Sequence, residues 1–217
     1  MTGQTFLVFG ATGQTGRHFV DLALEREDRV RALVRTPSKL HARPGLEVHE
    51  GSVTDPPALD RLVSGVDAVV VMLGDAAAQQ HHMINTEFVR RLVPALRKEG
   101  VRPLLYQAGG LSSAPGERLS PVLRVVRSTL ARHYLGQHRD NEAVMRYLVS
   151  DASDIDWVVH RAGIGSDGPS RGELHRSHRR TSIATFGDCA AYSHRLLADP
   201  SAVHTCDTST YRNDRNG

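Results

Sequence analysis

The sequence predicts an α/β fold: a doubly wound parallel sheet covered by helices on both faces, in a single domain over residues 1–207 with a small substrate-binding region toward its end. Three observations carry this. Segments of strand character alternate with helical periods along the chain, the pattern of a parallel sheet. The segment DAVVVML at 67–73 is apolar at every inner position, as a strand covered on both faces must be. Near the N-terminus, an apolar run meets a turn with glycines at positions 10, 13 and 16, and a helical period follows.

The first strand, QTFLVF at 4–9, is rich in aromatic and β-branched residues and stops at Gly10. The helix QTGRHFVDLALER at 14–26 places Phe19, Val20, Leu22, Ala23 and Leu24 on its period. RVRALVR (29–35) and LEVHEGS (46–52) read as the second and third strands, and TDPPALDRLVSG as a capped helix with its prolines in the first turn. The buried strand 67–73 leads to a long helix from about Gln80 to Lys98, striped by Ile84, Phe88, Val89, Leu92 and Leu96 and stopped by Gly100. LLYQAGG (104–110) is the fifth strand. After the irregular SSAPGERLSP, the segments VLRVVRSTLARHYL and HRDNEAVMRYLV read as helical, and DIDWVVHRAG (154–163) as a sixth strand with Trp157 in the core. IGSDGPSRGELHRSHRR (164–180) has no sustained period and reads as a long basic loop. It and residues 111–135 are expected to roof a substrate pocket. A helix from about Asp188 to Ala198 and a short strand in AVHTCDT follow, and the polar TSTYRNDRNG at 208–217 reads as a frayed tail.

The composition excludes several classes. With 40% hydrophobic and 24% charged residues and a net charge of +3, the 217-residue chain has an ordinary globular balance and too little charge for a nucleic-acid surface. No apolar run is long enough to span a bilayer, and no basic segment followed by an apolar stretch opens the chain, so no membrane role is expected. Cys189 and Cys206 form no CxxC pair, which fits a cytoplasmic protein without disulfides. His81-His82 and the pair His175 and His178 lack an acidic or cysteine partner at ligand spacing, so no metal is expected. A monomer or homodimer is expected.

A glycine turn between a buried strand and a helix lets the backbone approach a pyrophosphate, and the helix N-terminus supplies free N–H groups. In GATGQTG the residues Gly10, Thr12, Gly13, Gln14, Thr15 and Gly16 are therefore candidate dinucleotide ligands. An acid at the end of the second strand would hold the ribose 2′-OH of NAD, whereas an arginine accommodates the 2′-phosphate of NADP. This chain has Arg35, nineteen residues after Gly16, with no acid at that strand end, and Thr36, Ser38 and Lys39 as further donors. The expected cofactor is NADP(H).

The motifs GATGQTG, ALVRTPSK, EGSVTD, DAVVVMLG, YQAGGLSSAPG, HRDNEAVM, DIDWVVHRAG and SIATFGDCAAYSHRLLADP together resemble the NmrA-like and biliverdin-IXβ-reductase-like branch of atypical short-chain dehydrogenase/reductases, with their NAD(P)-binding Rossmann fold. The resemblance covers the chain from GATGQTG to LLADP. It implies that Ser52 and Val53 border the adenine, where family members commonly carry an acid in place of Ser52. It further implies that Leu73, Gly74, Ala108, Gly109 and Gly110 line the ribose and nicotinamide. Ala162 follows Arg161 where the family often has proline, so the loop beyond it is expected to sit differently.

Typical short-chain dehydrogenases use a Ser with a Tyr and Lys spaced YxxxK, because the lysine lowers the tyrosine pKa and the tyrosine protonates the carbonyl oxygen. No YxxxK exists here. Tyr134 and His138 stand nearest to that place, His138 where the family's helix has lysine or histidine, and Ser112 and Ser113 follow the fifth strand. These four are the catalytic candidates, His138 as a ribose ligand or proton shuttle, with a solvent-facing histidine as the alternative. A missing Tyr-Lys pair favours aromatic or conjugated carbonyl acceptors, such as quinones, flavins and conjugated ketones, whose anionic products take a proton from solvent. The resemblance leaves three functions open: an NADPH-dependent reductase of such small molecules, as in natural-product tailoring, a non-catalytic NADP(H) sensor of NmrA type, and, third, an isomerase or epimerase that uses the bound cofactor transiently.

Overall fold

The computed structural model describes residues 3–163, 165–178 and 180–212. Strand β1 (Thr5–Phe9) leads through the glycine turn into helix α1 (Gln14–Glu25), followed by β2 (Arg29–Val34) and β3 (Leu46–Glu50). Next come α2 (Leu59–Val63), β4 (Ala68–Val71), α3 (Ile84–Glu99) and β5 (Leu104–Gly109). Helices α4 (Pro121–Ser128) and α5 (Leu135–Asp151) precede β6 (Trp157–Ala162). The remainder holds β7 (Gly165–Ser166), β8 (Leu174–Ser177), β9 (Ala184–Thr185), α6 (Phe186–Leu197) and β10 (Cys206–Tyr211).

Eight strands form one sheet in the order β3-β2-β1-β4-β5-β6-β10-β8, and β7 pairs with β9 separately. Every neighbour in the large sheet is parallel except β8, which runs antiparallel to β10. This is the doubly wound sheet that the sequence predicts. Strand alternation builds both layers: Leu7 and Phe9 of β1 pack with Phe88, Leu92, Val144 and Leu148 of α3 and α5, while Phe6 and Val8 pack with Phe19, Val20, Cys189 and Tyr192 of α1 and α6. Trp157 lies in the first of these cores. The order reverses between β1 and β4, and a crevice opens there beyond the carboxyl ends of the strands.

Several elements differ from the sequence-based expectation, each for a physical reason. The helix expected over TDPPALDRLVSG is only Leu59–Val63, so its prolines precede it rather than form its first turn. The long third helix starts at Ile84, not Gln80, because the Asp140 carboxylate of α5 accepts hydrogen bonds from Asn85 N (2.9 Å) and Thr86 N (2.9 Å) and caps it there. The stretch 164–180 is not all loop: Leu174–Ser177 forms the sheet edge; Ile164 and Arg179 lie outside the described residues.

The frayed tail expected from residue 208 is corrected at Thr208–Tyr211, which belong to β10. These residues lack an apolar period because their polar side chains are bonded inside the protein. Thr208 Oγ1 lies 2.8 Å from the carbonyl oxygen of Ser177 and 2.6 Å from that of Arg180, sharing its one hydrogen between them, and Tyr211 Oη donates to Asp188 (2.6 Å). Residues 213–217 lie outside the described residues. No described helix is long and apolar enough to cross a membrane.

His160 of β6 is fully buried, its Nδ1 3.1 Å from Ser193 Oγ and its Nε2 2.9 Å from Ser209 Oγ. Burial pushes its pKa down to about 3, so the folded protein holds it neutral. Below pH 6.5 the unfolded chain takes up a proton that the folded chain refuses, so this contribution is complete above pH 6.5 and is lost as pH falls toward 3. We expect about 2 kcal/mol of it to be gone by pH 5. Urea unfolding at pH 7 and pH 5 checks this: the loss between the two should shrink by that amount in His160→Gln.

Candidate active site

The glycine turn is built by close backbone contact. Gly10 has φ +89°, and a Cβ there would fall on the main-chain oxygen of Met72 at the end of β4. A Cβ on Gly16 would fall on the Gly10 carbonyl oxygen. The turn is therefore pressed between β1, β4 and the start of α1, in a shape only glycine admits. Gly13 is the N-cap of α1, with no side chain capping it and no acid in the first turn. Gly13 N donates to Gly10 O (2.8 Å) and Arg17 N to Gly13 O (3.0 Å), leaving the N–H groups of Gln14, Thr15 and Gly16 directed out of the helix start. A cradle without side chains, lined by free N–H donors at the positive end of a helix, fits a pyrophosphate. Behind it, Gln107 of β5 donates from Nε2 to Thr15 Oγ1 (3.1 Å), and its Oε1 is buried without a partner. Thr12 is exposed at the mouth.

At one end of this rim stand the residues expected to meet the adenosine. Arg35 follows β2 and is largely exposed, and Ser38 is exposed in a 3-10 turn, Pro37–Lys39. Although no acid lies at that strand end in sequence, Asp75, beyond β4, brings its carboxylate within 3.8 Å of Arg35 Nη1. Ser52 Oγ lies 2.8 Å from Thr54 Oγ1, and Val53 packs against the core.

The other end lies where β4, β5 and β6 finish. The Leu73 carbonyl accepts from Asn85 Nδ2 (3.3 Å), and a Cβ on Gly74 would stand 2.8 Å from Gln137 Nε2. Ala108 is buried, a Cβ on Gly109 would face His138 Cε1 at 3.5 Å, and Gly110 N donates to Ala162 O (2.5 Å). Here the fold brings Ser112 and His138 together, with Ser112 Oγ 3.3 Å from His138 Nδ1 and both buried.

The hydrogen-bond polarity at this pair follows from its neighbours. Asn85 Nδ2, which donates to a carbonyl, also donates to Tyr106 Oη (2.9 Å), and Tyr106 donates to Asn141 Oδ1 (2.6 Å). Asn141 must then present Nδ2 to Ser112 Oγ (3.4 Å), which leaves the serine proton for His138 Nδ1. His138 carries its own hydrogen on Nε2, a buried atom without a partner. Burial, assisted by the Arg127 guanidinium and opposed by Glu142, pushes the His138 pKa down to about 4. The imidazole is neutral at pH 7, so it is not the solvent-facing histidine held open as the alternative. Burial likewise holds the Tyr106 phenol well above its ordinary pKa.

The other two catalytic candidates are placed differently. Ser113 donates its main-chain N–H to Glu142 Oε1 (2.9 Å), and Tyr134 is 50% exposed, one residue before α5 begins. Four residues absent from the sequence-based set also shape this end: Asn141, Tyr106, Arg127 and Arg161. Buried Arg161 donates from Nε to Cys206 O (2.7 Å), from Nη1 to Ser112 O (3.4 Å) and from Nη2 to Glu117 (2.9 Å), fixing the turn that carries Ser112. The signal that could have found Asn141 is the polar run HRDN at the start of an otherwise amphipathic helix, where polar groups facing inward need partners.

Comparison with known proteins adds the family. A family model described as NAD(P)H-binding matches residues 10–200. The chain is 30% identical over 132 residues, 53% of its length and 36% of the relative's, to a 3β-hydroxysteroid dehydrogenase/Δ5→4-isomerase of Mycobacterium tuberculosis. It is 32% identical over 154 residues to (4-alkanoyl-5-oxo-2,5-dihydrofuran-3-yl)methyl phosphate reductase of Streptomyces griseus, covering 55% of this chain and 54% of that one. It thus spans about a third to a half of these curated relatives. Among solved structures, an anaerobilin reductase of Escherichia coli O157:H7 superposes with a TM-score of 0.76 at 18% identity, covering 96% of this chain and 98% of that one, which speaks for the fold. With the matched segment beginning at Gly10 and taking in the cradle, both ends of the rim and α6, the chain belongs to the NAD(P)H-binding family, and its cofactor is a nicotinamide dinucleotide, in agreement with the expected NADP(H).

Proposed function

We propose that this protein is an NADPH-dependent reductase of atypical short-chain type that transfers hydride to a conjugated ketone, quinone or flavin-like small molecule. The observation that carries the reading is the Nε2–H of His138, buried, partnerless and held by Ser112 at the strand ends where the nicotinamide half of a dinucleotide would lie. When bound, the dinucleotide supplies the hydride. The chain's part is to hold the acceptor oxygen: His138 Nε2–H, oriented through Ser112, Asn141 and Tyr106, offers a fixed donor to the charge that develops there. The first turn of α1 binds the pyrophosphate, and Arg35 the 2′-phosphate. The names of the relatives agree in kind, since one acts on a steroid and the other on an alkanoyl oxo-dihydrofuran.

The test is the decay of NADPH absorbance against a panel of quinones, flavins and polycyclic or conjugated ketones. Turnover with any of them supports the reading. Tight NADPH binding without oxidation across the panel overturns it in favour of a dinucleotide sensor. Exchanging Arg35 for Ala is expected to weaken NADPH at least about tenfold and leave NADH nearly unchanged, because only the phosphate needs the guanidinium. Titration of both dinucleotides by fluorescence checks this, and equal loss of both would remove Arg35 from the phosphate.

A further inference from the structure

Helix α4 is seated on the site in an unusual way. None of its residues is buried, and Val122 (71% exposed) and Val125 (61%) face outward. Leu130, just beyond it, is 83% exposed. Arg127, by contrast, turns inward, forms an ion pair with Glu142 of α5 in which both side chains are largely buried, and donates from Nη1 to Leu111 O (3.3 Å). Glu142 Oε1 also accepts the Ser113 N–H (2.9 Å). One arginine thus ties α4 to both halves of the site, the turn at 111–113 and helix α5. With no residue fully buried and only Leu123 and Val126 half-buried on its apolar side, α4 has little apolar packing to hold it, and this ionic key is a principal anchor.

We propose that α4 is a lid latched by Arg127, and that its seating on Glu142 sets the charge carried by His138, one helical turn before Glu142 on α5. This deepens the reductase reading, on which it rests for the identity of the proton acceptor. With the lid seated, the Arg127 cation offsets Glu142 and His138 is neutral. With the lid raised, Glu142 is left as an unpaired carboxylate next to His138 on the helix face, and the imidazole is more readily protonated by solvent at Nδ1, Ser112 Oγ turning from donor to acceptor there. Reseating returns the Arg127 cation and turns His138 into an acid. Its Nε2–H bond then breaks, the electron pair stays on nitrogen, and the proton bonds to the acceptor oxygen left negative by hydride addition; the imidazole is left neutral with its hydrogen on Nδ1, donated to Ser112 Oγ, until Nε2 is reprotonated by solvent at the next opening.

The other charged groups near the pair do not take over this role. Arg161 of β6 is paired with Glu117, Asp140 of α5 is engaged at the start of α3, and Arg139 is exposed on α5. Burial and the Arg127 cation already act in the same direction on His138, with Glu142 opposing.

The experiment is an NMR titration of ¹⁵N-histidine-labelled full-length protein, with the His138 ring signals assigned by their loss in His138→Phe. The wild-type midpoint is expected near 4. In Arg127→Gln it should rise by about one unit or more, in Glu142→Gln it should fall, and Arg127→Lys should stay near wild type. A circular dichroism melt of each variant shows that it is folded. An unchanged midpoint in folded Arg127→Gln overturns the proposal, as does a rise in Arg127→Lys equal to that in Arg127→Gln. Because this readout needs no substrate, a shifted midpoint in a protein that oxidises no NADPH would leave the latch standing and remove the reductase reading alone.

Discussion

A Gly16→Val variant is expected to lose NADPH affinity by at least about two orders of magnitude. The added side chain would occupy the place of the Gly10 carbonyl oxygen, and Gly10 cannot retreat because it is backed by the Met72 carbonyl at the end of β4. Either the start of α1 moves away from β1 or the turn opens. Both displace the N–H groups of residues 14–16, and charge-assisted hydrogen bonds of this kind contribute about 1.5–3 kcal/mol each. Losing two of them corresponds to about 3–6 kcal/mol, well over a hundredfold in affinity. Overpacking should also lower stability by about 1–3 kcal/mol. Calorimetric titration with NADPH beside a thermal melt separates the two consequences. A lowered melting temperature with unchanged affinity would make the turn structural alone.

For His138→Phe the expected result is a fall in kcat of about 10²-fold or more with little change in the Kd for NADPH. The ring keeps its shape and burial, while the unpartnered Nε2–H donor disappears. Ser112→Ala should cost less, about tenfold, because it removes the group that orients the imidazole and leaves Nε2 in place. Steady-state rates with the best acceptor of the panel, alongside the two dissociation constants, decide among three roles. A rise in the NADPH Kd that accounts for the whole loss would make His138 a ribose ligand. Unchanged turnover would mean that solvent alone protonates the product, as conjugated acceptors permit.

Much of this protein is legible along the chain because its signals are local. GATGQTG, the apolar 67–73 and the helical periods at 14–26 and 84–96 each depend on near neighbours, so they report the sheet and its glycine turn directly. The residues at 208–211 were hidden because their partners are Ser177, Arg180 and Asp188, distant in sequence, which let a polar strand sit inside the fold. The site divides in the same way. Arg35, Ser112 and His138 stand out by position, but Asp75 meets Arg35 only after β4 returns beside β1, and nothing in the spacing of residues 112, 127, 138, 142 and 161 says that they converge.

By itself, then, the sequence determines the doubly wound sheet and the dinucleotide turn, since both follow from periodicity and backbone chemistry within about twenty residues. Only the tertiary structure decides the direction of the hydrogen bonds from Asn85 to His138, the neutral state of that histidine, and the inward turn of Arg127. Those depend on burial and on charges brought together from β5, β6, α3, α4 and α5, and desolvation and Coulomb energy are set by distance in space, not along the chain.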